Sequence, residues 1–259
     1  MDTISAGATV AFAMEAYDAG ALTLDDLDGI DLRWGDADAV IAMIRKMIDR
    51  DGIGDVLADG VKIAAEKLGR GTEQFAMHAG GQELPMHDSR YDPGYGIAYA
   101  CEPTPGKHTN TSYSLLEMFG LHNLFPSMPS LPPLYGASKR QQHDQTKNDL
   151  LVAASKYVQA TNACGMCLFG LQLGGTLPVP DFINAATGWS HAPEHYLEVG
   201  ARIQAIRQAF NVKHGVDARD FKLPKRAWGN GTPSYGPLKS VRHDGERLSA
   251  QFFHGMGWD

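Results

Sequence analysis

The sequence predicts a mainly α-helical protein: two helical domains with long Pro/Gly-rich loops and little strand. Three observations carry that prediction. Apolar residues recur at helical spacing in several segments, some capped by an Asp and several closed by a glycine. Period-2 alternation is confined to one weak run, Phe75, Met77 and Ala79. The remaining chain, above all 69–112, 125–136 and 223–259, is dense in proline and glycine.

Taken in order, residues 3–18 read as a helix capped by Asp2 and ended by Asp18-Ala19-Gly20, apolar on nearly every side and therefore buried. Thr23-Leu-Asp-Asp26 has the spacing of a capping box and starts a short helical turn. Asp36 caps the next helix; Val40, Ile44, Met47 and Ile48 form its apolar stripe, and Gly52 stops it. A helix over 54–68 places Val56, Leu57, Gly60, Val61, Ala64 and Leu68 on one face and closes at Gly69. From Gly69 to Ser112 the pattern becomes that of a long loop with Tyr91, Tyr95 and Tyr99 between turn residues; such a loop is functional or disordered, and its aromatics and low charge argue against disorder. Ser138–Ala160 starts polar and ends apolar, so its first half meets water and its second half carries the cysteine loop after it into the interior. A short helix follows over 181–187. The most regular helix is 191–212, with Tyr196, Val199, Ile203, Ile206 and Phe210 at heptad spacing. The tail has one helical pattern near Leu248–Phe253.

Composition excludes several functions. The charge of −7 disfavours nucleic acid, whose binding rests on Lys and Arg at phosphates. No basic amphipathic stretch suits a membrane surface, and no apolar run is long enough to span a bilayer. The N-terminus lacks the basic start of a signal peptide, and three cysteines do not make a secreted disulfide framework, so a reduced cytoplasmic protein is expected.

Two stretches carry chemistry. Cys164-x-x-Cys167 reads as small buried residues in a turn, as a dithiol redox pair, or as one contribution to a cluster completed elsewhere. A closed metal or iron–sulfur site needs four ligands, and only Cys101 is left as a third cysteine. His108 follows Pro103-Thr-Pro-Gly-Lys in a tight loop with little charge around it, which suits a positioned acid/base group. We expect the two loops to meet at one buried redox site. Gly80-Gly81 and Gly174-Gly175 do not match a phosphate loop, and the acidic run Asp25, Asp26, Asp28 and Asp31 reads as a solvated face.

A further set of segments stands in collinear order along the whole chain: Asp2-Thr-Ile-Ser-Ala-Gly, Leu32-Arg-Trp-Gly35, Gly52-Ile-Gly-Asp-Val-Leu-Ala-Asp-Gly60, Glu83-Leu-Pro-Met-His-Asp-Ser-Arg90, Asn184-Ala-Ala-Thr-Gly-Trp189, Leu223-Pro-Lys-Arg226 and Gly257-Trp258-Asp259. Together they resemble the middle and C-terminal helical domains of the tungsten-containing aldehyde ferredoxin oxidoreductase family. The resemblance makes 1–76 part of the middle helical domain and 77–259 the C-terminal one.

That resemblance implies an oxidoreductase converting aldehydes to carboxylic acids with electrons passed to ferredoxin. Its implied cofactors are a tungsten (or molybdenum) bis-pterin and a [4Fe–4S] cluster. The family's second pterin motif, D-x-x-G-L-C, reads here Asn162-Ala-Cys-Gly165-Met166-Cys167. It implies Cys167 as a cluster ligand that also touches the pterin, Asn162, Gly165 and Met166 as pterin contacts, and Cys164 as a bystander. Asn162 replaces a carboxylate, exchanging an acceptor for a donor–acceptor pair. Asp2 falls on the last residue of the first pterin motif. His108 matches the histidine beside the metal, and Asn110 stands where some members have lysine. The Glu-x-x-His that holds a bridging metal between subunits is Asp38 and Ile41 here, so any homodimer is expected to lack that metal. The family's N-terminal β domain and its C-x-x-C-x-x-x-C run are absent from this sequence. The expectation is therefore part of a longer enzyme, inactive alone, or a cofactor-free helical scaffold that complements a separate N-terminal half.

Overall fold

The computed structural model describes residues 1–130, 137–172, 177–231 and 235–258. It is mainly α-helical, with thirteen α-helices and one two-stranded hairpin among those residues. Gly174-Gly175, Asp259 and residues 131–136 of the second Pro-rich connection lie outside the described residues. The chain forms two compact units, Met1–Met86 with Lys222–Pro224, and His87–Phe221 with Lys225–Asp259.

In the first unit, α1 (Thr3–Asp18) starts where the Asp2 carboxylate accepts from the Ser5 N–H at 2.7 Å. Thr23 and Asp26 exchange the two hydrogen bonds of a capping box, but they close a turn rather than begin a helix. Asp26 is also gripped by both guanidinium nitrogens of Arg70 at 2.9 Å, which ties that turn across 44 residues. Asp36 caps α2 (Ala37–Asp49), which ends at Arg50 in a left-handed conformation, ahead of Gly52. Its inner face is Met43 and Met47; Ile48, assigned to the stripe by periodicity, is 62% exposed.

The single helix expected over 54–68 is two, α3 (Ile53–Leu57) and α4 (Val61–Leu68). The break comes from a distant cap. Glu83 accepts from the Val61 N–H at 2.7 Å, and a Cβ on Gly60 would lie 2.6 Å from that carboxylate. The hairpin β1 (His78–Ala79) and β2 (Gln82–Glu83), antiparallel through Gly80-Gly81, delivers Glu83 to this place. The hairpin thus belongs with the first unit, and the division falls after Met86, C-terminal to position 76.

In the second unit, α5 (Pro93–Cys101) lies inside the stretch read from the sequence as loop, and all its residues are buried. Two turn-like glycines disguise it. A Cβ on Gly96 would meet the Trp228 ring at 2.5 Å, so that glycine serves close packing rather than a turn. Asp92 caps α5 through Gly94 N–H and also accepts from the N–H groups of Tyr113 and Ser114, at the start of α6 (Tyr113–Phe119). A short α7 (Leu121–Leu124) follows.

The helix expected over 138–160 is also interrupted. It forms α8 (Ala137–Gln141) and α9 (Gln145–Ala163), and Asp144 caps the second through Lys147 N–H at 2.8 Å. Burial along α9 begins at Lys147 and Asn148, so its first half does not simply meet water. Then come α10 (Leu168–Gln172), α11 (Val179–Thr187), α12 (Pro193–Lys213) and α13 (Gly245–Met256).

The heptad stripe on α12 holds at Tyr196 and fails at its C-terminal end. The buried positions are Tyr196, Gly200, Gln204 and Gln208, whereas Ile206 and Phe210 are 69% and 63% exposed. The reason lies in the contact with α9: a Cβ on Gly200 would sit 1.8 Å from the Lys156 carbonyl oxygen. The helices approach backbone to backbone there, and the positions a turn away on the same face are polar.

Candidate functional site

The residues after α5 form the histidine loop. Its first residue, Glu102, is fully buried; Ser155 Oγ–H donates to it at 2.6 Å and Gln204 Nε2–H at 2.6 Å. Burial pushes its carboxyl above the ordinary range, against the pull of those two hydrogen bonds. Gly106 N–H then turns back to the Tyr99 carbonyl at 3.1 Å. His108 emerges half-buried, its ring centroid 5.0 Å from that of His87. His87 stacks on Tyr95 at 4.6 Å, and its carbonyl accepts from the Tyr99 hydroxyl at 3.1 Å. Burial, then His87, then Lys107 lower the pKa of His108 below the ordinary imidazole value. Around pH 7 the ring is therefore neutral and able to take a proton.

Past the histidine, Asn110, Thr111 and Ser112 are buried. Gln159 on α9 donates to Asn110 Oδ1 at 3.5 Å, while the buried Asn110 Nδ2 has no hydrogen-bond partner. The same helix ends in the cysteine loop. Cys164 N–H bonds the Ala160 and Thr161 carbonyls, Gly165 takes a φ of +73°, and Met166 N–H returns to the Thr161 carbonyl at 3.2 Å. This is a helix stop of the left-handed glycine kind.

Both loops thus hang on the C-terminal part of α9, but the buried redox site expected from the sequence is not what forms. Asn162, Cys164, Gly165 and Cys167 are all exposed and Met166 is half-buried. The chain turns at Gly165, after the last buried residue of α9, Thr161, and runs along the surface into α10. Cys101 is the buried cysteine, its thiol pushed up to about 12 by burial. Desolvation also raises Cys164, the opposite of what an attacking redox thiolate requires. Among the described residues, no group of three or more His, Cys, Asp or Glu is arranged to hold a metal. Asp2 lies in the first unit, occupied in capping α1.

Two residues at this site were not singled out from the sequence. His87 carried no local signal. Glu102 did carry one: it is the single charged residue between Asp92 and Lys107, next to Cys101 in an apolar run.

These features define a helical protein that presents a neutral histidine on a pinned loop and a surface cysteine loop from one long helix. Over residues 1–259 the chain matches the family described as aldehyde ferredoxin oxidoreductase, domains 2 and 3, and it belongs to that family. It is 33% identical over 262 residues to a tungsten-containing aldehyde ferredoxin oxidoreductase of Thermococcus kodakarensis, and 32% identical to one of Pyrococcus furiosus. Each alignment covers all of this chain, and the chain spans about 40% of the length of those relatives. It is 26% identical to the WOR-like subunit of an aliphatic sulfonate oxidoreductase of P. furiosus, of which it covers 38%. Among solved structures it superimposes on the active-site complex BamBC of benzoyl coenzyme A reductase, determined with 1,5-dienoyl-CoA. The TM-score is 0.67 at 22% identity, covering all of this chain and 42% of that one, a likeness of fold. No helix among the described residues is long and apolar enough to cross a membrane.

Proposed function

We propose that this chain forms one side of the catalytic centre of an enzyme oxidising aldehydes to carboxylic acids, with electrons delivered to ferredoxin. The observation that carries the reading is His108: a half-buried, neutral imidazole on a loop tied down along its length, in a chain that matches the family from end to end. In the net reaction an aldehyde and water give a carboxylic acid, two protons and two electrons. An imidazole nitrogen of His108 accepts a proton as the oxygen of water adds to the carbonyl carbon, and His87, itself stacked on Tyr95, packs beside the ring.

The residues present fit one face of the family's tungsten bis-pterin and [4Fe–4S] group. Cys167 offers an exposed thiol, a Cβ on Gly165 would meet nothing within 4 Å, and the buried Nδ2 of Asn110 is a donor without a partner. Cys167 would ligate the cluster, and Asn162, Gly165 and Met166 would line the pterin. When bound, the metal–pterin group supplies the two-electron redox chemistry and the cluster the one-electron outlet. Three cysteines, one of them buried, cannot complete a cluster, which needs about four ligands, so the others come from outside these 259 residues and the chain alone is inactive. The protein works in the cytoplasm, and any homodimer does without a bridging metal at Asp38 and Ile41.

Metal analysis tests this. The chain is co-expressed with the N-terminal portion that carries C-x-x-C-x-x-x-C, as wild type and Cys167→Ser. About four irons and one tungsten or molybdenum per complex, with iron lost in the variant, is the expected result. A complex free of metal in both would give the lead to a cofactor-free scaffold.

A further inference from the structure

The polar face of α12 reaches the histidine loop at successive points. Asn211 Nδ2–H donates to the Pro103 carbonyl at 2.6 Å. Arg207 donates one guanidinium nitrogen to Thr104 Oγ1 at 2.5 Å and the other to Gln204 Oε1 at 2.9 Å. Gln204 in turn donates to Glu102 Oε2 at 2.6 Å and to Ser155 Oγ at 2.7 Å. Positions 204, 207 and 211 share one helix face, so one rigid element meets the loop at residues 102, 103 and 104.

We propose that α12 is the positioning element of His108, with Gln204, Arg207 and Asn211 clamping the loop from Glu102 to His108 onto α9. This rests on the reading of His108 as the reactive base. None of the three residues is a catalytic group; each acts through the loop. A tight turn alone leaves a loop free to open by local fluctuation. Here Pro103 and Thr104 are held by directional bonds from a helix of 21 residues, and Glu102 is buried between that helix and Ser155 of α9. All three ties are short, and Arg207 makes both of its bonds in one planar fork, which lysine cannot do. The geometry also explains why α12 buries Gln204 on a face where its sequence spacing offered isoleucine and phenylalanine: that position serves the loop.

The decisive variant is Thr104→Val/Asn211→Ala in the 259-residue chain. It cuts the ties at Pro103 and Thr104, changes no charge and leaves the buried Glu102–Ser155–Gln204 set intact. The readouts are the pH titration of the His108 ring by NMR, identified by the signal missing in His108→Gln, and amide hydrogen exchange over 103–108. Because burial is the first cause that lowers His108, a loosened loop hydrates the ring. Its midpoint then moves up toward the ordinary value of about 6.5, and loop exchange speeds up by roughly tenfold or more. Arg207→Lys, which keeps the charge, moves both in the same direction by less. Wild-type titration and exchange in both variants, with cooperative melting retained, would overturn the proposal. Failure of the reaction reading is separable: it shows as metal-free complexes, with these titration shifts unchanged.

Discussion

The interiors of the two units are built on different principles. In the first, Leu22, Leu27, Leu32, Met43 and Leu57 are essentially fully buried, and most charges stand outside, paired as Arg50 with Asp55 and Asp59, or Arg33 with Asp31. Such exposed pairs add about 0–1 kcal/mol each, so stability there rests on apolar burial. Its buried carboxylate, Glu83, is a helix cap. The second unit places Asp92, Glu102, Asn110, Asn148, Ser155 and Gln204 inside. Buried polar groups cost desolvation but fix geometry by direction as well as by contact. The contrast teaches that one unit is made to be held together and the other to hold particular atoms in place.

The largest expected effect that probes this contrast is in the apolar unit. Leu57→Ala, at a site with no exposure, should cost about 2–5 kcal/mol, with hydrogen exchange accelerated mainly over 1–86. Equal acceleration across the second unit would break the comparison. Glu102→Gln sharpens it from the other side. Because burial raises the Glu102 pKa above 4.5, the unfolded chain ionises first as pH rises, and the folded state loses stability from there upward. Glutamine cannot ionise, so urea unfolding should match wild type near pH 4 and show the variant as the more stable by pH 8. The reverse slope would mean that Lys107 and Arg207 keep the carboxylate charged. The smallest effect is at Ile206→Gln, expected within about 0.5 kcal/mol of wild type by thermal melting. A loss of several kcal/mol would restore the heptad face that the structure assigns to solvent.

The fold was legible wherever a helix is set by its own neighbours. Asp2, Asp36, Gly69 and Gly188 begin or end helices as their local chemistry dictates. It was illegible wherever the deciding partner is remote. Glu83 splits 54–68 from 22 residues away. Trp228 makes a glycine acceptable inside α5, and the Lys156 carbonyl makes one necessary in α12. The site divides in the same manner. The histidine loop and the cysteine motif were visible as local sequence, and the family resemblance is confirmed by the match over the whole chain. The bonds from Gln204 and Asn211, 102 and 108 residues along from Glu102 and Pro103, left no trace in any window of sequence. Nor did the exposure of the cysteine loop, because an apolar run ahead of a turn does not say on which side the turn comes out.

One consequence of α5 concerns time rather than space. A helix of nine residues with two glycines does not persist by itself in water. Its partners come from beyond its own neighbourhood: Tyr113 at the Asp92 cap and Trp228 over Gly96. It is helical because of what lands on it. The segment that leads into His108 is therefore complete only once distant parts of the chain have met, and any nascent polypeptide that has not yet reached Trp228 has no finished seat for its histidine.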